Sequence, residues 1–141
     1  MKITKGLKLK VPDSFILWSI NEIEFREKFN HCNLSHVTTG YYVIVATLFN
    51  DLNCKIGFYF SSEIHNELNK IEIFDTKINN EITSFEMNQK ILGQQFGKPQ
   101  NYCSKEVLNK NNYIWHFENI KITHCLRYRF GYEEIIWIEK L

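Results

Sequence analysis

Hydrophobic and polar positions alternate most cleanly over Ile120–Phe130. Ile120, Ile122, His124, Leu126, Tyr128 and Phe130 fall on one parity, and Lys121, Thr123, Cys125, Arg127 and Arg129 on the other. A period of two marks a β-strand with one face toward a core and the other toward solvent, here a basic face. Strand-like runs flank it on both sides, NYIWHFENI before and YEEIIWIEKL after Gly131. Residues 112–141 are therefore expected to form a three-stranded meander.

The first half carries a fainter version of the same pattern. Tyr41–Phe49 is β-branched and aromatic with almost no polar position, which predicts a central strand buried on both faces. Asn50-Asp51 supplies a turn, and Ile56, Phe58 and Phe60 then alternate with Lys55, Gly57 and Tyr59. Ile71 and Ile73 mark another strand, and Leu7–Val11 with Phe15–Trp18 read as a strand interrupted at Pro12-Asp13. Ser61–Asn69 is ambiguous between loop and a short helix capped by Ser62 and carrying Ile64 and Leu68.

Two helices are punctuated. Ser19-Ile-Asn-Glu22 has capping-box spacing and predicts a helix to about Asn30, with Ile20, Ile23 and Phe29 inward. Thr83-Ser-Phe-Glu86 is a second box, and its helix runs through Met87, Ile91, Leu92 and Phe96 to a stop at Gly97 with Pro99 beyond. His31–Gly40 reads as a polar connector and Gln100–Asn111 as a polar loop.

These elements predict an α+β fold: an antiparallel sheet of about six to eight strands with two main helices packed on one face. Residues 1–141 read as a single domain, and 7–75 and 76–141 as its half-repeats. The closest internal match sets Ile56-Gly-Phe-Tyr-Phe60 against Leu126-Arg-Tyr-Arg-Phe130. Either the halves form a tandem helix-plus-β-meander pseudo-repeat, or two ordinary meanders use similar residues. The layout is similar to that of tandem-repeat inhibitor folds, in arrangement only and without a shared motif.

Composition narrows the functional classes. With 44% hydrophobic and 15% aromatic residues, the 141-residue chain can bury a core, which excludes a disordered chain. The formal net charge of +1 removes a chain-wide electrostatic case for nucleic acid. The longest apolar run, Tyr41–Phe49, is far short of the roughly 20 residues that cross a bilayer. The basic start lacks an apolar signal core, so a soluble, cytoplasmic protein is expected.

Chemistry-bearing residues are scattered. Cys32, Cys54, Cys103 and Cys125 contain no CxxC pair and read as free thiols. His31-Cys32 with His36, plus His124-Cys125, supplies donors of zinc type, but adjacent strand residues point to opposite faces, so His124 and Cys125 cannot share a site. No metal and no cofactor are expected. His124 reads as a core histidine hydrogen-bonded through one ring nitrogen, and His116 as half-exposed on the polar face. Cys103 is the loop cysteine flanked by polar residues, with no base assigned to it. Glu133-Glu134 are placed at a solvated turn, and Glu63 and Glu67 on one face of the ambiguous helix.

The basic strand face is the candidate site. Lys121, Arg127 and Arg129, joined by Lys55 and Tyr59, resemble in composition a protein-recognition patch. The competing reading is a solvated sheet face whose arginines pair with Glu118, Glu133 or Glu134. The expected function is a non-catalytic protein-binding module of bacterial type, an immunity or inhibitor protein that masks a partner, with an acidic partner favoured. The alternative is a small-molecule binder or small hydrolase with His116 or His124 at the edge of a pocket between sheet and helices. A third is an RNA- or single-strand-binding module. A homodimer through an edge strand also fits the pattern.

Overall fold

A computed structural model describes residues 2–49, 51–63, 66–76, 81–99, 101–103, 111–128 and 130–141. The chain opens with a hairpin of β1 (Gly6–Leu9) and β2 (Ser14–Leu17), a two-stranded sheet of its own. Helix α1 (Glu22–Phe29) leads into β3 (Ser35–Thr38), β4 (Tyr41–Leu48), β5 (Leu52–Ser61) and β6 (Glu67–Phe74). Helix α2 (Glu81–Phe96) leads into β7 (Asn101–Cys103), β8 (Asn111–Phe117), β9 (Ile120–Tyr128) and β10 (Tyr132–Lys140). Strands β3 to β10 form one eight-stranded sheet in the order β3-β4-β5-β6-β10-β9-β8-β7, antiparallel throughout. The fold is thus mixed helix and antiparallel sheet, with sheet dominant.

Register sets the core. Tyr42, Ile44, Ala46 and Leu48 lie opposite Phe58, Ile56, Cys54 and Leu52, and Ile56 and Phe58 lie opposite Ile73 and Ile71. The same layer continues through Ile136 and Ile138 to His124, Ile122 and Trp115. Both helices pack on this layer. Phe25 of α1 has its ring centroid 4.7 Å from that of Phe58 and 5.1 Å from that of Phe60. On α2, Phe85 stacks on His124 at 4.2 Å and Phe96 meets Trp115 at 6.3 Å. The hairpin adds the fully buried Leu7, Leu9 and Ile16 to the same core.

Several sequence expectations are corrected. The first cap is Asn21, not Ser19: its side chain accepts from Glu24 N at 2.9 Å, and the Glu24 carboxylate accepts from Asn21 N at 3.4 Å. That shift turns Phe25 and Phe29 inward and leaves Ile23 68% exposed. Helix α2 starts at Glu81, two residues before Thr83, and stops as expected before Gly97, whose φ of +85° suits glycine. Leu68 and Glu67 belong to β6 and not to a helix, while Ile64 and His65 lie outside the described residues. Part of the loop expected over 100–111 is strand, β7 and the start of β8.

The expectation for Tyr41–Phe49 fails in an informative way. β4 is buried on one face only, and Val45 on the other is 61% exposed. β-branched and aromatic residues satisfy strand propensity on either face, so the run carries no signal for the missing second layer.

Candidate functional site

Because both helices and the hairpin pack on one face of the large sheet, no described element covers the other. Register builds that open face as rows. One row runs Tyr41, Tyr59, Lys70, Glu139, Lys121 and His116 across β4, β5, β6, β10, β9 and β8. The next runs Val43, Gly57, Glu72, Trp137, Thr123 and Ile114 over the same strands. Two sequence candidates, Tyr59 and Lys121, therefore share a row although they come from different halves of the chain. Lys55 and Arg127 stand further along the same face, and Arg129 lies outside the described residues.

The center of the face is an aromatic plate. Tyr41 and Tyr59 stack with centroids 4.2 Å apart and planes 20° apart. Gly57 makes this geometry possible: a Cβ there would stand 2.6 Å from the Tyr41 ring. Tyr41 thus lies over bare backbone, as aromatic side chains do beside strand glycines. Burial first, then the neighboring Tyr59 hydroxyl and Glu72, hold the Tyr41 phenol well above its ordinary range. Burial also raises Tyr59.

Lys70 completes the plate. Its Nζ lies 3.7 Å from the Trp137 ring centroid and 5.2 Å from that of Tyr59, a cation held between two π-faces. Trp137 is fixed by its own donor, Nε1 to Glu72 Oε2 at 3.0 Å. Tyr41, Lys70, Glu72 and Trp137 were missed as site residues. Their parity was readable, Trp137 lying between the inward Ile136 and Ile138, but their convergence depends on pairing between β6 and β10.

The outlying basic groups are matched within the chain. Lys55 pairs with Asp75 at 3.2 Å, and Arg127 Nε with Glu133 at 3.3 Å. Lys55, Lys70, Lys121 and Arg127 are balanced on this face by Glu72, Asp75, Glu133 and Glu139. The described face is therefore aromatic and charge-balanced rather than a basic patch. The Cys125 thiol between these groups is raised mainly by burial, an effect partly offset by Arg127.

A second polar cluster lies under α2. His124 is completely buried, with Nδ1 2.7 Å from Gln89 Oε1 and Nε2 2.5 Å from Glu134 Oε2. Both ring nitrogens are engaged, where one partner was expected. Glu134 is drawn inward, not solvated at a turn, and also accepts from Ser84 Oγ at 2.8 Å and Asn88 Nδ2 at 3.1 Å. Ser84 is thus bonded to the carboxylate and not to the imidazole, so these groups do not form a nucleophile–base pair. Asn88 Oδ1 is buried without a partner among the described residues. The cluster cross-links α2 to β9 and β10.

The remaining histidines and thiols disperse. His36 stacks on Tyr42 at 4.5 Å, and His31 contacts Asn30. Among the described residues no three His, Cys, Asp or Glu side chains converge as metal ligands. Cys32, Cys54 and Cys125 are free thiols, and the side chain of Cys103 lies outside the described residues. No helix of the described residues is long and apolar enough to cross a membrane. His116 borders a cleft of about 600 Å³ whose walls include Lys2, Thr4, Phe96, Phe117 and Glu118. No protein-family model, curated protein or solved structure matches the chain.

Proposed function

We propose that this chain is a non-catalytic protein-binding domain of the bacterial immunity or inhibitor kind, and that it masks a partner with the open face of its large sheet. The observation that carries this reading is the row Tyr41–Tyr59–Lys70 with Trp137 beside it, on a face left uncovered by every described element. Tyrosine and tryptophan are enriched where partners bury surface, because they supply large rigid contact area with a polar tip. The charge balance of the face disfavors a phosphate backbone as its target, since binding there scales with unneutralised cations.

The tandem reading belongs to this proposal. Each half runs helix, then four-stranded meander, and the halves join antiparallel through their last strands, β6 and β10. The internal match sets Ile56–Phe60, within β5, against a segment whose first residues, 126–128, end β9, and β5 and β9 are each the third strand of their meander. A twofold relation between the halves makes one continuous platform from two small meanders.

The test is affinity capture from the source cell with the wild-type chain and with Tyr59→Ala/Trp137→Ala, both checked for native circular dichroism. A protein retained by the first and lost by the second supports the reading. Identical captured sets would reject it.

A second reading rests on the cleft at His116, which offers Lys2, Thr4 and Glu118 around the apolar Phe96 and Phe117. A mixed polar and aromatic lining suits a small amphipathic ligand. Small-molecule binding that shifts the His116 ring resonances would favor it.

A further inference from the structure

Lys70 differs from Lys55 and Arg127 on the open face. Lys55 and Arg127 are neutralised by Asp75 and Glu133. Lys70 forms no ion pair within 4.0 Å among the described residues; its ammonium rests on Trp137 and Tyr59 instead. Its cross-strand neighbor Glu139 also faces Lys121, so this row holds two cations around one carboxylate, with no ion pair between them. Aromatic faces attract the charge but accept none of the three N–H bonds in full, leaving those donors for a partner.

We infer that Lys70 is the anchor for a partner carboxylate, an aspartate or glutamate side chain of the protein that docks on this face. The inference rests on the protein-binding reading and deepens it. An ammonium already oriented by two rings loses little rotamer freedom on binding, and the aromatic plate excludes water around the new charge-assisted bond. Hot spots take this form: a polar group at the middle of an aromatic patch, ringed by residues that keep water out. The rim ion pairs Lys55–Asp75 and Arg127–Glu133 leave a second acidic group little to gain there.

A displayed random-peptide library supplies a defined probe. Sequences are selected on the wild-type protein and counter-selected on folded Tyr59→Ala/Trp137→Ala, or on Tyr59→Ala alone where the double variant melts early. The expected survivors carry aspartate or glutamate. They bind Lys70→Met roughly tenfold or more weakly, keep most of their affinity for Lys70→Arg, and are indifferent to Lys90→Met on the opposite side of the molecule. Survivors lacking acidic residues, or bound equally well by Lys70→Met, would overturn the carboxylate inference while leaving the docking face intact. If no sequence distinguishes the wild type from the counter-selection variant, the docking face falls, and the inference with it.

Discussion

His124 and Glu134 meet at 2.5 Å diagonally across β9 and β10, with the imidazole wholly buried beneath Phe85 of α2. Removing one member deprives the other of its shortest contact in a largely desolvated site. His124→Ala is expected to cost about 3 kcal/mol, through a cavity and a carboxylate left with only Ser84 and Asn88 as donors. The double variant His124→Leu/Glu134→Met should lose much less than the sum of its single changes, because an apolar pair leaves no orphaned charge. Denaturant melts of the four proteins in the cycle measure this, and simple additivity would count against a coupled pair.

Gly57 carries no side chain because Tyr41 occupies its Cβ position. Gly57→Ala should therefore destabilise by about 1–3 kcal/mol, as overpacking does. In a Tyr41→Ala background the same change should be neutral or mildly stabilising, since glycine is a poor strand residue. Equal cost in both backgrounds would show that the contact does not set the requirement.

Alkaline stability follows from the raised groups. Burial pushes the Cys54 thiol from its ordinary 9.0 up to about 12. A group raised by folding stabilises the native state fully below its unfolded value, and that contribution is lost as pH climbs toward the folded one. For Cys54 the loss spans pH 9 to about 12. Tyr41, Tyr42 and Tyr59 are also raised, by burial first, so their contribution fades above pH 10. A tyrosinate absorbance titration of the folded protein should show these three ionising above the ordinary tyrosine value of about 10. Smooth titration of every tyrosine near 10 in the folded protein would contradict this.

Stability and surface charge should separate. Phe25 contacts the rings of Phe29, Tyr42, Phe58 and Phe60 and is fully buried, so Phe25→Ala should cost about 3–5 kcal/mol. Arg127→Ala removes only a half-exposed pair with Glu133 and should cost about 1 kcal/mol or less. Thermal melts of the two variants give the comparison directly.

The alternation placed His124 inward and Arg127 outward correctly, because side-chain parity is a local property of an extended backbone, but β9 ends at Tyr128 and Phe130, expected on the core parity, is fully exposed. The same logic misplaced Glu134. Its sequence neighborhood, Gly131-Tyr-Glu-Glu, reads as a turn, and only the pairing of β10 with β9 makes it a core-facing strand residue. Asn21 was passed over as a cap because Ser19 and Glu22 also show capping-box spacing, and the choice depends on where Phe25 can be buried.

By itself the sequence determined the two helices, the parity of most side chains and the strands other than β3 and β7, which lie in stretches that read as polar connectors, since propensity and periodicity act over a few residues. Tertiary structure alone decided which face of the large sheet stays open, which cations are neutralised, and that Tyr41, Tyr59, Lys70 and Trp137 converge. Those outcomes depend on register between strands distant in the chain, above all β6 against β10. A slip of one residue there would exchange the two faces. Local pattern cannot encode that choice; burial of one face under α1, α2 and the hairpin makes it.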